Sequence, residues 1–560
     1  MNPVTVLLVG VVIVIGGVLV LRLHAFLALV LAALTVGVLT PSEWIEGYAV
    51  RNKALADHSV SADGHEITLT VESSKKLSIG QRLVVLRVGD GQGALAEAIV
   101  RAEAVVARYE LLEGNAAESK RRVAVVSIPQ GTDSTDVLVT RKNAVAAQEL
   151  AKQTVGQRVA TAFGTTCGKI GILIAMAAII GKCLLESGAA DRMVRSTLRL
   201  FGQRGAPAAF LTSGFALGIP VFFDTVFYLM IPLGKAMRMR TGGNYLFYVL
   251  TIVAGATMAH SLVPPTPGPL FVAEELGVDI GAMILGGMAV GLVTIVVGYV
   301  YAKTVNRFCE LPLRESADFT LDDLEKLAQR DESELPPLWI SVLPILLPVV
   351  LIGGRTVLRS LPTELSDPMM RVAETLGNKN IALVLSAAVA MAMLVRQSRP
   401  NRRELAASMQ AALASGGVII LITAAGGAFG QTIQQTGVAN LISDLPTGSP
   451  ALILAAAFLI TTAVRTAQGS ATVAMITAVG ILSGLATSGQ LPFHPVYLAL
   501  AIGCGSKPVA WMNDSGFWVI CKMGGMTEGE GLRYITPMTA TMGLVGLGVT
   551  ILGATWWPLV

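Results

Sequence analysis

The stretch GKCLLESGAAD at residues 181–191 returns as GQTIQQTGVAN at 430–440. Both glycines coincide in each copy, Ser187 stands opposite Thr436, Glu186 opposite Gln435 and Asp191 opposite Asn440. The interruptions that follow recur at nearly the same offset, with Pro220 opposite Gly469 and the break Pro264–Pro269 opposite Asn513–Gly516. Apolar sequence that is duplicated and broken at corresponding depths is the signature of two membrane halves sharing one binding site, as in secondary transporters.

Composition points the same way. Of 560 residues, 53% are apolar and 14% charged, against roughly 25% charged in soluble domains. The balance of 42 basic and 38 acidic residues, +4 in all, is too small over this length to suggest a nucleic-acid partner, and the basic residues fall between apolar runs rather than in one patch. Cys167, Cys183, Cys309, Cys504 and Cys521 form no CxxC pair, so neither a disulfide framework nor a metal site is expected, and the transporter reading implies no cofactor. No basic region precedes Val4–Leu21, which reads as a retained first span rather than a cleaved signal.

Runs long enough to cross the hydrocarbon layer lie at about 4–22, 24–40, 166–185, 244–275, 280–303, 337–354, 379–395, 405–430, 493–522 and 534–556. Segments 205–240 and 450–488 read instead as re-entrant hairpins, because each is broken or polar in its middle. Arg22, Arg192 to Arg204, Lys235 to Arg240, Lys303 and Arg307, Arg396 to Arg403, and Lys522 with Arg533 fall on one side, while the turns at 276–279, 431–449 and 486–492 hold no Lys or Arg. That side is expected to be cytoplasmic, with both termini outside and Arg355, Arg359 and Arg371 dissenting. Five crossings and one hairpin per half make the second half inverted. The expectation is an all-α polytopic membrane protein of two inverted repeats: residues 1–50 and 156–310 form the first, 337–560 the second, and 311–336 a cytoplasmic linker.

Residues 51–155 alternate instead with a period of two, at His65–Val71, Arg82–Val88, Glu97–Tyr109 and Arg122–Ile128, with turns at Asp63-Gly64 and Asp90-Gly91. They are expected to form a small β-rich soluble insert outside the cytoplasm.

Candidate site residues lie at the interruptions. GIPVFFD (218–224) puts a helix breaker and Asp224 inside an apolar hairpin. An ionisable group at that depth costs roughly 2.5–3.5 kcal/mol and needs a partner, a cavity or a proton. Asp224 therefore either caps a half-helix, pairs with a base, or carries a coupling proton. HSLVPPTPGP (260–269) contains four prolines in six residues, more than a kink requires, so its freed backbone groups are expected to line a wet cavity; His260, Pro265, Thr266 and Gly268 are its candidates. In RTAQGSAT (465–472), Arg465, Gln468, Gly469, Ser470 and Thr472 surround a glycine turn. Ser470 at the start of a returning half-helix would aim free N–H groups at an anion, and Arg465 offers a fork matched to a carboxylate, unless it snorkels to the interface. Lys507, Asn513, Asp514 and Ser515 interrupt the span 493–522. Lys507 and Asp514, seven apart, would share a helical face and neutralise each other, or Asp514 serves as a proton or substrate-hydroxyl site. GTTCGKI (164–170) imitates a phosphate loop but is one residue short and lacks the hydroxyl after lysine, and there is neither a GxSxG elbow nor an HExxH pair.

GIPVFFD, HSLVPPTPGP, GSATVAMITAVGI (469–481), NDSGFW (513–518) and GKCLLESGAADRM (181–193) resemble the gluconate permease family of proton symporters, within the broader ion transporter superfamily. The resemblance covers nearly all of the chain except 51–155. It implies proton-driven uptake of gluconate, related sugar acids or small hydroxy acids, with Asp224 as the hairpin carboxylate, His260 as the loop histidine, Gly469–Thr472 as the second tip, and Asn513 with Asp514 in the second broken helix. Thr266 and Trp511 stand where that family carries histidine, Val226 where it carries glycine and Lys507 where it carries an uncharged residue, so the solute and coupling ion stay open. The expected protein is a multi-pass plasma-membrane (bacterial inner membrane) symporter, not an enzyme. Its partners are the bilayer, a small organic acid and a proton, or sodium in a rival of the same architecture; homo-oligomerisation is left open. In a third reading the β-rich insert is a sensor that the membrane part merely anchors. Replacing Asp224 by asparagine is expected to abolish gradient-driven accumulation while the protein still inserts. Normal pH-dependent uptake by Asp224→Asn would pass the coupling role to Asp514.

Overall fold

The computed structural model describes residues 2–21, 23–51, 58–60, 66–72, 82–86, 102–111, 120–126, 137–314, 335–360, 367–437, 449–487, 491–512 and 514–559. The turns at Asp63-Gly64 and Asp90-Gly91, most of the 311–336 linker, and Asn513 lie outside them. By contact density the chain divides into one unit of residues 1–14, 30–162 and 428–445, and a second of 15–29, 163–427 and 446–560.

Within the first unit, α2 (Ala25–Leu39, begun in the second unit) is followed by α3 (Ser42–Arg51), the two axes turning by 101°. Six strands then form one antiparallel sheet: β1 (His58–Val60), β2 (Glu66–Glu72), β3 (Arg82–Leu86), β4 (Ala102–Leu111), β5 (Lys120–Val126) and β6 (Val137–Thr140), in spatial order β1-β2-β5-β4-β3-β6. Four coincide with the alternating runs. β1 and β6 were not legible, because three or four residues are too few to display a period. Thr140 caps α4 (Arg141–Lys152) by accepting from Asn143 N, so the end of the 51–155 segment is helical. Ala49, Val50, Val139 and Ala147 close a small apolar core among α3, β6 and α4. Arg158, buried at the start of α5 (Val155–Glu186), donates to Gln435 Oε1 at 2.7 Å and Gly37 O at 2.9 Å.

The second unit runs through α6 (Ala189–Phe201), α7 (Ala206–Leu217), α8 (Phe223–Thr241), α9 (Tyr245–Leu262), α10 (Pro267–Glu275) and α11 (Ile280–Phe308), then α12 (Leu338–Ser360), α13 (Asp367–Leu376), α14 (Lys379–Ser398) and most of α15 (Arg402–Gln434). It closes with α16 (Pro450–Gln468), α17 (Ala471–Thr487), α18 (Pro495–Gly505), α19 (Ser515–Gly524) and α20 (Glu528–Trp556). The phosphate-loop look-alike at 164–170 is uninterrupted α5 helix. Among the described residues, seven helices are long and apolar enough to cross a membrane, or eight if the bent α2–α3 pair is one span, where ten crossings were expected. The difference lies in α1 (Pro3–Leu19) and α2, 17 and 15 residues long, and in the division of 493–522 into α18 and α19. The protein is a multi-pass, predominantly helical membrane protein.

Local geometry follows the sequence repeat. Gly188 and Gly437 end α5 and α15 with φ of 77° and 74°, the left-handed conformation that glycine adopts without a Cβ penalty. Their amides bond Leu185 O and Gln434 O, each at 3.1 Å. Both 29-residue helices α11 and α20 are capped by a side chain at the residue before them, Asp279 or Thr527. Thr527 also shares a capping box with Glu530, whose carboxylate holds Arg314 with a shortest contact of 2.6 Å and raises that guanidinium above its usual range. Lys235, counted among the basic loop residues, is instead buried, with no partner for Nζ among the described residues.

α9 is almost wholly buried, packed by α7, α8 and α11. Its approach to α7 depends on Gly255, where a Cβ would overlap Leu211 O and lie 2.9 Å from Phe215 N. Backbone atoms cannot swing aside as side chains do. Gly255→Ala should therefore lower stability by about 1–3 kcal/mol, read as a fall in the unfolding midpoint of the detergent-purified protein; an unchanged midpoint would show that α7 yields freely.

Candidate functional site

Four interruptions in the second unit surround one cavity of ≈ 350 Å³. The first is the α7–α8 hairpin tip. Helix α7 ends at Leu217, residues 218–222 form a turn, and α8 starts at Phe223 from an extended Phe222 that makes no capping bond. Asp224 thus sits in the first turn of α8, where the positive end of the helix dipole favours a carboxylate. It is half-buried and has neither an ion pair nor a hydrogen bond among the described residues. Among the described residues it does not pair with a base.

The second is the gap between α9 and α10, where Val263–Thr266 is non-helical with a cis Pro264–Pro265 peptide. His260, on the last turn of α9, reaches the cavity and meets the Phe222 ring edge-on at 6.3 Å. Pro265, Thr266 and Gly268 do not line it. Thr266 Oγ1 instead donates to Val263 O at 2.7 Å, which holds the break itself together, and a Cβ on Gly268 would overlap Met475 of α17. These residues shape the walls rather than face the space.

The third is the α16–α17 turn. Gly469 takes φ 79°, and Ser470 starts α17 by accepting from Val473 N at 3.4 Å. Ser470 and Thr472 line the cavity; Gln468 and Gly469 do not, although the buried Gln468 amide has no partner among the described residues. Arg465, one turn earlier on α16, is only 5% exposed, so it does not snorkel. Its Nη2 forms an ion pair with Asp514 Oδ2, while Nε and Nη1 have no partner among the described residues.

The fourth is residues 506–514, between α18 and α19. Because residues 506–512 and 514 are not helical, Lys507 and Asp514 do not share a helical face, and the expected pairing between them is not what the structure contains. Lys507 reaches back to α9 and donates to Thr257 O at 3.0 Å. Asp514 is the N-cap of α19, accepting from Gly516 N at 2.9 Å with one oxygen while the other holds Arg465. Val509 has φ 56°, a conformation β-branched residues rarely adopt, held in place where Thr536 of α20 donates to Ala510 O. Ser515 lines the cavity; Asn513 lies outside the described residues.

Asp224, His260, Arg465, Ser470, Thr472, Lys507, Asp514 and Ser515 therefore converge. The structure adds Thr257, Ser415, Ser506 and Thr539. Thr257, Ser415 and Thr539 are single hydroxyls within helices, with no charge beside them to single them out in sequence, whereas Ser506 stands with Lys507 at the interruption of 493–522. With Asp224, Asp514, Arg465 and Lys507 ionised and His260 neutral, the wall carries two charges of each sign. One basic and one acidic member are already bound to each other. Such a space, with a lysine and a carboxylate that have no ion pair among the described residues and a ring of hydroxyls, suits a small hydroxylated anion.

Comparison with known proteins gives the context. A family model described as GntP family permease matches residues 137–555. An uncharacterized permease of Haemophilus influenzae is 34% identical, over 70% of this chain and 81% of that protein. A low-affinity gluconate transporter of Escherichia coli is 31% identical, over 68% and 84%. Among solved structures, Neisseria gonorrhoeae MtrF, of a class of antimetabolite efflux pumps, aligns with TM-score 0.54 at 14% identity over 81% of this chain and 90% of that one, a likeness of fold alone.

The Arg465–Asp514 pair makes a prediction of its own. Asp514→Asn leaves a buried guanidinium without its counter-charge, a change of about 3–5 kcal/mol in buried pairs. The unfolding midpoint should fall sharply, and Arg465→Gln/Asp514→Asn should recover part of the loss. A double variant no more stable than the sum of the singles would show that the pair is not coupled.

Proposed function

This chain belongs to the GntP family of permeases, and we propose on that premise that it takes up gluconate-like sugar acids or small hydroxycarboxylates by proton symport. It is a permease and not an enzyme. The observation that carries the reading is the buried Arg465 guanidinium at the cavity wall, with one nitrogen held by Asp514 and two unpartnered. A charge-assisted pair between such a fork and a carboxylate is roughly twice as strong as a neutral hydrogen bond, and burial without a partner is costly enough that the open positions call for a ligand. Lys507 adds a second cation. Ser470, Thr472, Ser506 and Ser515 present hydroxyls at the right scale for a polyhydroxy chain, with Asn513 as a further candidate. Gln468 and Gly469 support the turn, and Pro265, Thr266 and Gly268 the facing wall.

Proton coupling is supported by charge balance. A monoanion entering a cavity of matched charges adds −1; protonation of Asp224, the carboxylate without a basic partner, restores neutrality. A water-poor membrane interior penalises any other net charge heavily. Asp514 serves less well, because its carboxylate is committed to Arg465 and to the cap of α19.

Alternating access in this reading follows two inverted repeats, residues 1–50 with 156–310 and residues 337–560, each holding a re-entrant hairpin (α7–α8, α16–α17) and a broken helix (α9–α10, α18–α19). The recurrence of element order, the matched glycine ends of α5 and α15 and the equal lengths of α11 and α20 favour it. The strand-bearing segment 51–155 is placed outside the cytoplasm and the protein in the bacterial plasma membrane.

Uptake by the reconstituted protein tests this. An inward proton gradient should drive gluconate or a related hydroxy acid into vesicles without sodium. Arg465→Gln should weaken half-saturation by about tenfold or more. Uptake that vanishes without sodium yet ignores a collapsed proton gradient would establish sodium coupling instead; an absence of flux for every sugar acid and hydroxy acid offered would overturn the substrate class.

A further inference from the structure

Away from the transport cavity, a second polar recess of ≈ 530 Å³ opens where the α6–α7 turn meets the C-terminal ends of α8 and α11. Arg204, Arg240, Lys303 and Arg307 border it, and no carboxylate does. None of the four has an ion pair among the described residues. The nearby acids are already engaged: Glu310 by Arg238 at 3.0 Å and Asp191 by Arg195 at 2.9 Å. A smaller recess of ≈ 240 Å³ shares Gln203 and Arg240 and adds Arg195 and Arg199 to the basic rim. All four are exposed at the rim; converging cations repel one another, and an anion bound among them relieves that repulsion.

A second observation identifies what kind of anion. Val293, Val296 and Val300 are 43%, 59% and 56% exposed on α11. Their spacing of three and four residues continues directly into Lys303 and Arg307, so all five lie along one face of the helix. An exposed apolar stripe on a membrane-crossing helix faces lipid chains, and where it ends in cations it matches an acyl chain ending in a phosphate. The exposed Phe308 extends the apolar border at the same end.

We propose that this recess binds an anionic phospholipid, its phosphate held by Arg204, Arg240, Lys303 and Arg307 and its chain lying along the Val293–Val300 face of α11. Basic pockets between membrane helices recognise acidic headgroups in this way. The proposal does not depend on which solute the protein carries.

Thermal unfolding of the detergent-purified full chain, titrated with phosphatidylglycerol, phosphatidylcholine of the same chains or inorganic phosphate, tests it. Phosphatidylglycerol should raise the midpoint saturably; the other two should not at equal concentration. Arg240→Gln/Arg307→Gln should weaken the apparent affinity by about 25-fold, about fivefold per charge removed, whereas Arg240→Lys/Arg307→Lys should retain most of it. Should the neutral double variant not fold, Arg204→Gln and Lys303→Gln singly should each show the fivefold loss. Equal affinity in the neutralised variants, an equal shift from phosphatidylcholine, or a full shift from phosphate alone would each overturn the proposal.

Discussion

The ion pair between Arg465 and Asp514 is the contact on which the site depends. It joins the end of α16 to the start of α19, two elements that both break off inside apolar sequence. Backbone that leaves helical geometry at membrane depth must find partners within the protein. Asp514 meets that demand twice, capping α19 with one oxygen and neutralising Arg465 with the other. Thr266 does a comparable task for the facing break through Val263 O. The breaks are thus closed by short local bonds, and the groups left over, Asp224 and the free nitrogens of Arg465, belong to the cavity between them.

This division explains why the candidate residues separate into two sorts. Those with bonds of their own, such as Thr266, or packed too closely to reach the space, such as Gly268 against Met475, build the walls. Asp224 and Arg465 bring unmet polar capacity to the cavity wall, and Lys507 and Asp514 reach it although each also has a bond of its own. The cavity is lined by these groups as a set. Its chemistry therefore has to be read from all four ionisable groups and His260 together.

Much of this was legible in the sequence because membranes make irregularity conspicuous. The breaks at 218–222, 263–266, 469–470 and after Gly505 are signalled where prolines cluster or where glycine or proline stands near a charge; a lone proline is no such signal, since Pro232, Pro344, Pro348 and Pro537 lie inside helices. The four longer strands also showed through their alternation. What could not be read was partnership. Lys507 and Asp514 looked like a pair because a seven-residue spacing implies one helical face, but that inference fails once the helix itself stops at Gly505. Thr257, Ser415 and Thr539 escaped notice because a single hydroxyl in an apolar helix commonly bonds its own backbone. The shortfall in long spans has a plain cause as well: α1 and α2 are 17 and 15 residues long, and a hydropathy run does not record where a helix turns, as α2 does into α3.

The two hairpins are alike in form but not in charge: the tip before α8 carries a lone acid, and the end of α16 carries a guanidinium. A duplicated frame lined identically would accept an elongated solute in either of two headings. In the function proposed above one heading is electrically preferred, so a molecule with a single charged terminus would be held with that terminus toward α16 and α19. Directionality of this kind would let a scaffold of two repeats distinguish the head of its cargo from the tail.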